Sequence, residues 1–108
     1  MRYHHIGIPT TERRDGETHL PDLGMFVSGY ESSEFGIEWM RFEEDSPIPE
    51  LVRTVPHVAF VVEELDVALE GREVLIEPNA PSEGLRVAFV VEDGAPVEFL
   101  EFDGPADG

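Results

Sequence analysis

The chain has 108 residues, enough for one domain with its own core. It contains no cysteine, which excludes disulfides, thiolate metal sites and cysteine nucleophiles. Acidic residues number 24 against 7 basic ones, a net charge of −17, and such a field repels nucleic acid and anionic membranes, whose binding runs on clustered Lys and Arg.

No apolar run reaches the roughly 18 residues of a membrane span. The N-terminal MRYHHIGIP has no secretory apolar region. The expectation is a cytoplasmic protein whose partner is a small molecule, with no nucleic acid and no membrane. Every basic residue is arginine. Acid excess without lysine resembles the surfaces of proteins from salt-loving organisms, where a Debye length of about 3 Å near 1 M salt suppresses self-repulsion. Net charge of this kind speaks to solubility rather than to chemistry.

Tyr3–Ile8 reads as a first strand, ended by Pro9. Thr10–Asp22 is polar and lacks a helical stripe, so it reads as loop. Leu23–Tyr30 reads as a strand, Glu31–Glu34 as a turn, and Phe35–Glu43 as a strand apolar on both faces. Glu44–Pro49 carries two prolines behind an acidic cluster and opens a linker spanning 46–55. These spans define a first module of about 1–45 and a second of 56–102.

The second module begins with His57–Val62, a β-branched and aromatic run that predicts a buried strand. In Glu63–Leu69 the residues Leu65, Ala68 and Leu69 share a helical face, and Gly71 can end the helix. Glu73–Glu77 predicts a short strand stopped by Pro78, and Asn79–Gly84 a loop. Leu85–Glu92 and Pro96–Phe102 predict a hairpin around Asp93-Gly94. The tail, 103–108, is expected to fray.

The chain says almost the same thing twice. Tyr3-His4-His5-Ile6-Gly7-Ile8 is echoed by Pro56–Val62, PHVAFVV. Ile37–Glu43, IEWMRFE, aligns without a gap against Val97–Asp103, VEFLEFD. Each half therefore opens with a His on a strand and closes with a Glu on a strand: His5 and Glu38, then His57 and Glu98. A repeat of this length points to a duplicated supersecondary unit. Alternation along a strand places Glu38 with Met40 and Phe42, and Glu98 with Leu100 and Phe102. A carboxylate on such an apolar face needs a partner. A metal is one candidate; Arg41 and Arg86 are others.

With these residues in view, the chain resembles the vicinal oxygen chelate superfamily, the glyoxalase/bleomycin-resistance/dioxygenase group. The likeness covers nearly the whole chain and is clearest from Pro56 to Phe102. It implies an α+β fold of paired βαβββ modules with a curved mixed sheet, the first module shortened and its helix reduced or lost. It also implies one divalent transition metal (Zn, Ni, Co, Mn or Fe) held by His5, Glu38, His57 and Glu98. His4 is the rival for the first position. Mixed nitrogen and oxygen ligands choose weakly among these ions.

The resemblance implies catalysis through an enediolate, with Glu98 as first choice of general base and Glu38 as second. Three function classes follow: a metal-dependent lyase or isomerase, a metal-free binding module like the bleomycin-sequestering proteins, and a ring-cleaving dioxygenase. The dioxygenases and fosfomycin-resistance transferases usually use only His, His and Glu. His4 and His19 read as loop or outer-shell residues, Tyr30 and Trp39 as core, Arg86 as a salt bridge, and Glu43–Asp45 as a solvated turn. Short strands with exposed edges predict a homodimer.

Overall fold

In the computed structural model the described residues are 1–103. The expected frayed tail therefore falls, beyond Asp103, outside the described residues. The elements are β1 (Arg2–Pro9), β2 (Thr18–Leu20), β3 (Met25–Ser28), β4 (Ile37–Phe42), α1 (Glu50–Thr54), β5 (His57–Val61), α2 (Leu65–Leu69), β6 (Glu73–Ser82), β7 (Leu85–Glu92) and β8 (Ala95–Phe102). Two 3₁₀ turns, Pro21–Leu23 and Tyr30–Ser32, flank β3. No described helix is long and apolar enough to cross a membrane.

The strands form one mixed sheet in the order β2-β3-β4-β1-β5-β8-β7-β6. Its symmetry is that of the sequence repeat. β1 pairs parallel with β4 as β5 does with β8, and β1 meets β5 antiparallel at the centre. Each unit continues outward through two antiparallel pairings. The sheet curls, because residues from β3 and β4 on one side and β6 and β7 on the other line a single cavity. This is the expected pair of modules with the first helix absent.

The outer face of the second module is sealed by α2. Leu65 is fully buried against Val62, Ala88, Val90 and Phe99. The Leu65 backbone N–H, one of the unpaired donors at a helix start, donates to Glu101 Oε2 at 2.9 Å. The β7–β8 hairpin turns on Asp93 (φ 53) and Gly94 (φ 81), the paired positive angles that a two-residue turn of the primed type requires.

In the first module the loop before β2 replaces the helix. Arg14 lies 4.6 Å from the Trp39 ring centroid and Arg41 4.2 Å from that of Phe26. Arg41 is held there by two hydrogen bonds to Glu17, at 2.8 and 2.7 Å. Guanidinium groups over aromatic faces thus cover what a helix covers in the other half. Trp39 accordingly sits half-buried on the outer face and not in the core.

Three expectations need correction. The polar stretch before Leu23 contains the short strand β2. The span 46–55 contains α1, whose Val52 is buried and, with Ile48 and Pro49, lines the cavity. Pro78 does not stop the strand it follows: β6 runs on to Ser82. It is an edge strand with register shifts at Ile76, Asn79 and Ser82, where a residue without an N–H donor is tolerated.

Candidate metal centre

His5, Glu38, His57 and Glu98 stand on the four central strands, β1, β4, β5 and β8, and all face the concave cavity. The register explains their meeting. Gly7 of β1 pairs with both His57 and Glu38, and Ala59 of β5 with both His5 and Glu98. Each imidazole therefore lies across from a small residue of the other module. A Cβ added at Gly7 would overlap Cε1 of His57 and come within 2.8 Å of its Nδ1.

Glu98 is the hub. Its Oε1 lies 3.2 Å from His5 Nε2 and 3.2 Å from His57 Nε2. Glu38 Oε1 stands further out, 3.8 Å from His5 Nε2, and its side chain keeps 26% exposure against 12% for Glu98. Donor atoms of His5, His57 and Glu98 all lie within 4.8 Å of one another; Glu38 is outside that tight group.

These spacings suit one ion. Ligands about 2.0–2.2 Å from a common metal stand roughly 3.0–3.5 Å from one another. The buried Nδ1 of His57 has no hydrogen-bond partner among the described residues. Phe89 and His5 hold its ring edge-on, with centroids 4.9 and 5.5 Å away. A set of two imidazoles and one or two carboxylates is a competent donor set for a divalent transition ion.

His4 reaches this site through a β-bulge. The β1–β5 register shifts between Tyr3 and His5, so the extra residue is His4. Consecutive side chains on a regular strand point apart, whereas here His4 Nδ1 and His5 Nδ1 are 2.7 Å apart. His4 Nε2 is 3.3 Å from the Tyr30 hydroxyl, and the two rings stack at 5.2 Å. His5 Nε2–H donates to Glu98 at 3.2 Å, and a proton shared between the two Nδ1 atoms would free that Nε2 to ligate an ion. His4 thus orients His5 as outer-shell partners do.

The electrostatics couple these four side chains to one another. Burial alone would raise Glu98, but hydrogen bonds and charge from His5 and His57 bring it down to about 2. Burial alone would lower His5, yet the hydrogen bond and charge of Glu98, joined by Glu38, hold it above its ordinary value. Burial pushes Glu38 up, against the opposing pull of His5. Burial, then the His5 charge, lowers His4.

The arginine alternatives do not apply. Arg41 pairs with Glu17, and Arg86 with Glu101 at 3.2 Å and Asp66 at 3.6 Å. His19 is remote from the group, 3.2 Å from half-buried Glu43 and stacked on Phe26. Tyr30 supports His4 and is not plain core. Sequence reasoning passed over Gly7, Phe89 and the Ile48–Val52 segment. The small residue two places after each histidine, Gly7 and Ala59, was the available signal for the first.

The cavity measures about 630 Å³ and its walls are aliphatic and aromatic, with Met40, Val52, Val87 and Leu100 prominent. Apart from the four residues above, its only polar lining side chain among the described residues is Asn79.

No protein-family model matches the sequence, and no curated protein matches it at a significant level. Solved structures do. A hypothetical protein from Bacillus halodurans C-125 superposes with a TM-score of 0.70 at 24% identity, covering 99% of this chain and 98% of that one. Methylmalonyl-CoA epimerase from Mycobacterium tuberculosis superposes with a TM-score of 0.64 at 19% identity, over 95% of this chain and 89% of that one. Likeness at these identities shows a shared fold, the paired-module sheet described above.

Proposed function

We propose that the chain is a metal-dependent lyase or isomerase of the vicinal oxygen chelate superfamily. Its substrate is a small metabolite with two adjacent oxygens. The observation that carries this reading is the convergence of His5 Nε2, His57 Nε2 and Glu98 Oε1 on the floor of one apolar cavity. Methylmalonyl-CoA epimerase, an isomerase by its name, has the same fold.

His5, His57 and Glu98 would hold a divalent transition metal, which when bound would supply the Lewis acidity that acidifies a carbon beside a substrate carbonyl. Glu98 is gripped by both imidazoles and serves to hold the ion. Glu38, 3.8 Å from His5 and the more exposed carboxylate, is the freer one. Its Oε1 takes the proton from the acidified carbon and returns it, so Glu38 is proposed as the general base in preference to Glu98. His4 fixes the ring of His5, and the apolar walls keep water from the reacting carbon. A homodimer belongs to the same proposal, since β2 and β6 leave two sheet edges unpaired.

The test is exchange of solvent deuterium into α-hydroxycarbonyl and 1,2-dicarbonyl compounds by the metal-loaded protein. Glu38→Gln is expected to abolish exchange and keep metal, whereas Glu98→Gln loses metal. Loss of metal in both variants with exchange persisting in neither would leave the base unassigned to Glu38. The tight three-residue group favours one second reading, a ring-cleaving dioxygenase; catechol-dependent oxygen uptake by the ferrous protein without deuterium exchange would select it.

A further inference from the structure

The lining of the cavity carries a consequence for what enters it. All seven basic residues of the chain are arginines, and none of them lines the cavity. Five are committed elsewhere: Arg41 to Glu17, Arg86 to Glu101, Arg72 to Glu92, Arg53 to the Ile48 carbonyl at 2.8 Å, and Arg14 to the Trp39 ring. Inside, apart from His5, Glu38, His57 and Glu98, Asn79 is the only polar side chain among the described lining residues, and its amide already donates to the Glu77 carbonyl at 3.0 Å.

A divalent ion would add direct coordination but little net positive charge. The carboxylates of Glu38 and Glu98 already offset its two positive charges, so the loaded site offers an anion no surplus. A carboxylate or phosphate entering here would be desolvated against Met40, Val52, Val87 and Leu100 with no arginine to pair it. Outside, the net charge of −17 opposes its approach.

We infer that the substrate is uncharged and carries an apolar body, which fills the 630 Å³ cavity while two adjacent oxygens face the His5–His57–Glu98 group. This rests on the reading of the site given above and narrows it. Substrates with a carboxylate or phosphate beside the reacting oxygens, 2-oxo acids among them, are disfavoured as a class. Neutral 1,2-dicarbonyl or α-hydroxycarbonyl compounds with an aliphatic or aromatic substituent are admitted.

A matched pair tests the inference. 1-Phenyl-1,2-propanedione and benzoylformate share the phenyl ring and the vicinal oxygens and differ in charge. Binding is measured by calorimetry with the metal-loaded protein and again after metal removal, circular dichroism confirming the fold. Salt is kept near 1 M, where a Debye length of about 3 Å removes the long-range field. The diketone is expected to bind at least tenfold more tightly to the metal-free protein, where only the lining discriminates; the loaded form shows how much coordination adds for each. Benzoylformate binding equally well to the metal-free protein, or no saturable binding of the diketone, would overturn the inference and leave the metal site standing. Preference for the diketone in a protein that takes up no metal would instead sustain the cavity chemistry and remove the catalytic reading. Leu20→Arg, on the cavity lining, is expected to raise benzoylformate affinity at least tenfold. An unchanged preference in the folded variant counts against the inference, and should the variant not fold, the wild-type pair decides.

Discussion

The imidazole of His57 lies directly over the backbone of Gly7, across the antiparallel junction between the two modules. No other residue fits beneath it. In Gly7→Ala the new methyl group meets the ring, which is buried and packed edge to face with Phe89. Overpacking of this kind costs typically about 1–3 kcal/mol. The variant is expected to fold with a lowered melting temperature and to bind metal at least as weakly as an outer-shell variant, about 10–100-fold below wild type. Isothermal titration with Zn²⁺ checks this; unchanged affinity would show that the position of His57 is immaterial to the site.

His4 is predicted to act through His5. Replacing it with Phe keeps the stack on Tyr30 but removes the nitrogen facing His5 Nδ1. Metal affinity is expected to fall about 10–100-fold, the usual effect of losing an outer-shell partner. Tyr30→Phe should cost less, because its hydroxyl contact at 3.3 Å is one step further removed. Metal titrations of the two variants check the ranking, and equal losses would contradict the order of the chain Tyr30–His4–His5.

The Glu17–Arg41 pair makes a pH prediction away from the site. Hydrogen bonds from Arg41 hold Glu17 at about 2, below its ordinary 4.5. A carboxyl lowered by folding stabilises the folded state above its unfolded pKa, and that contribution is lost as pH falls through the folded value. The stability gap between wild type and Glu17→Gln is therefore expected to be full above about pH 4.5 and to close towards pH 2. Urea midpoints measured across that window check it. A gap independent of pH would mean that the pair does not persist in solution.

Leu65 tests whether core and site are separable. It is fully buried on the outer face, while the ligand set lies on the other side of the sheet. Leu65→Ala is expected to cost about 2–5 kcal/mol of stability and to leave metal stoichiometry unchanged in the folded fraction. Denaturant unfolding beside elemental analysis gives both numbers, and loss of metal from the folded variant would show coupling through the sheet.

Much of this was legible because the repeat is written in residues that alternate cleanly. His5, Glu38, His57 and Glu98 could be paired by position alone, and the hairpin at Asp93-Gly94 announced itself by turn chemistry. What escaped were features set by tertiary context. Pro78 is a strand breaker in a central strand and harmless on the edge, and a sequence does not say which strand is the edge. Val52 looks like a stray apolar residue in a linker until the sheet curls around it. The bulge that turns His4 towards His5 leaves no mark in the spacing, since alternation sends neighbouring side chains to opposite faces. The greater distance of Glu38 was likewise hidden, because the repeat gives both carboxylates the same standing.

The central claim, that the two modules together hold one ion, is tested most directly by elemental analysis of untagged protein beside the Glu98→Gln and His57→Ala variants. Close to one equivalent of a divalent transition metal per chain in the wild type, lost in both variants while circular dichroism shows the fold intact, is the predicted result. Wild-type protein free of metal after incubation with excess Zn²⁺, Ni²⁺ and Mn²⁺ would contradict it.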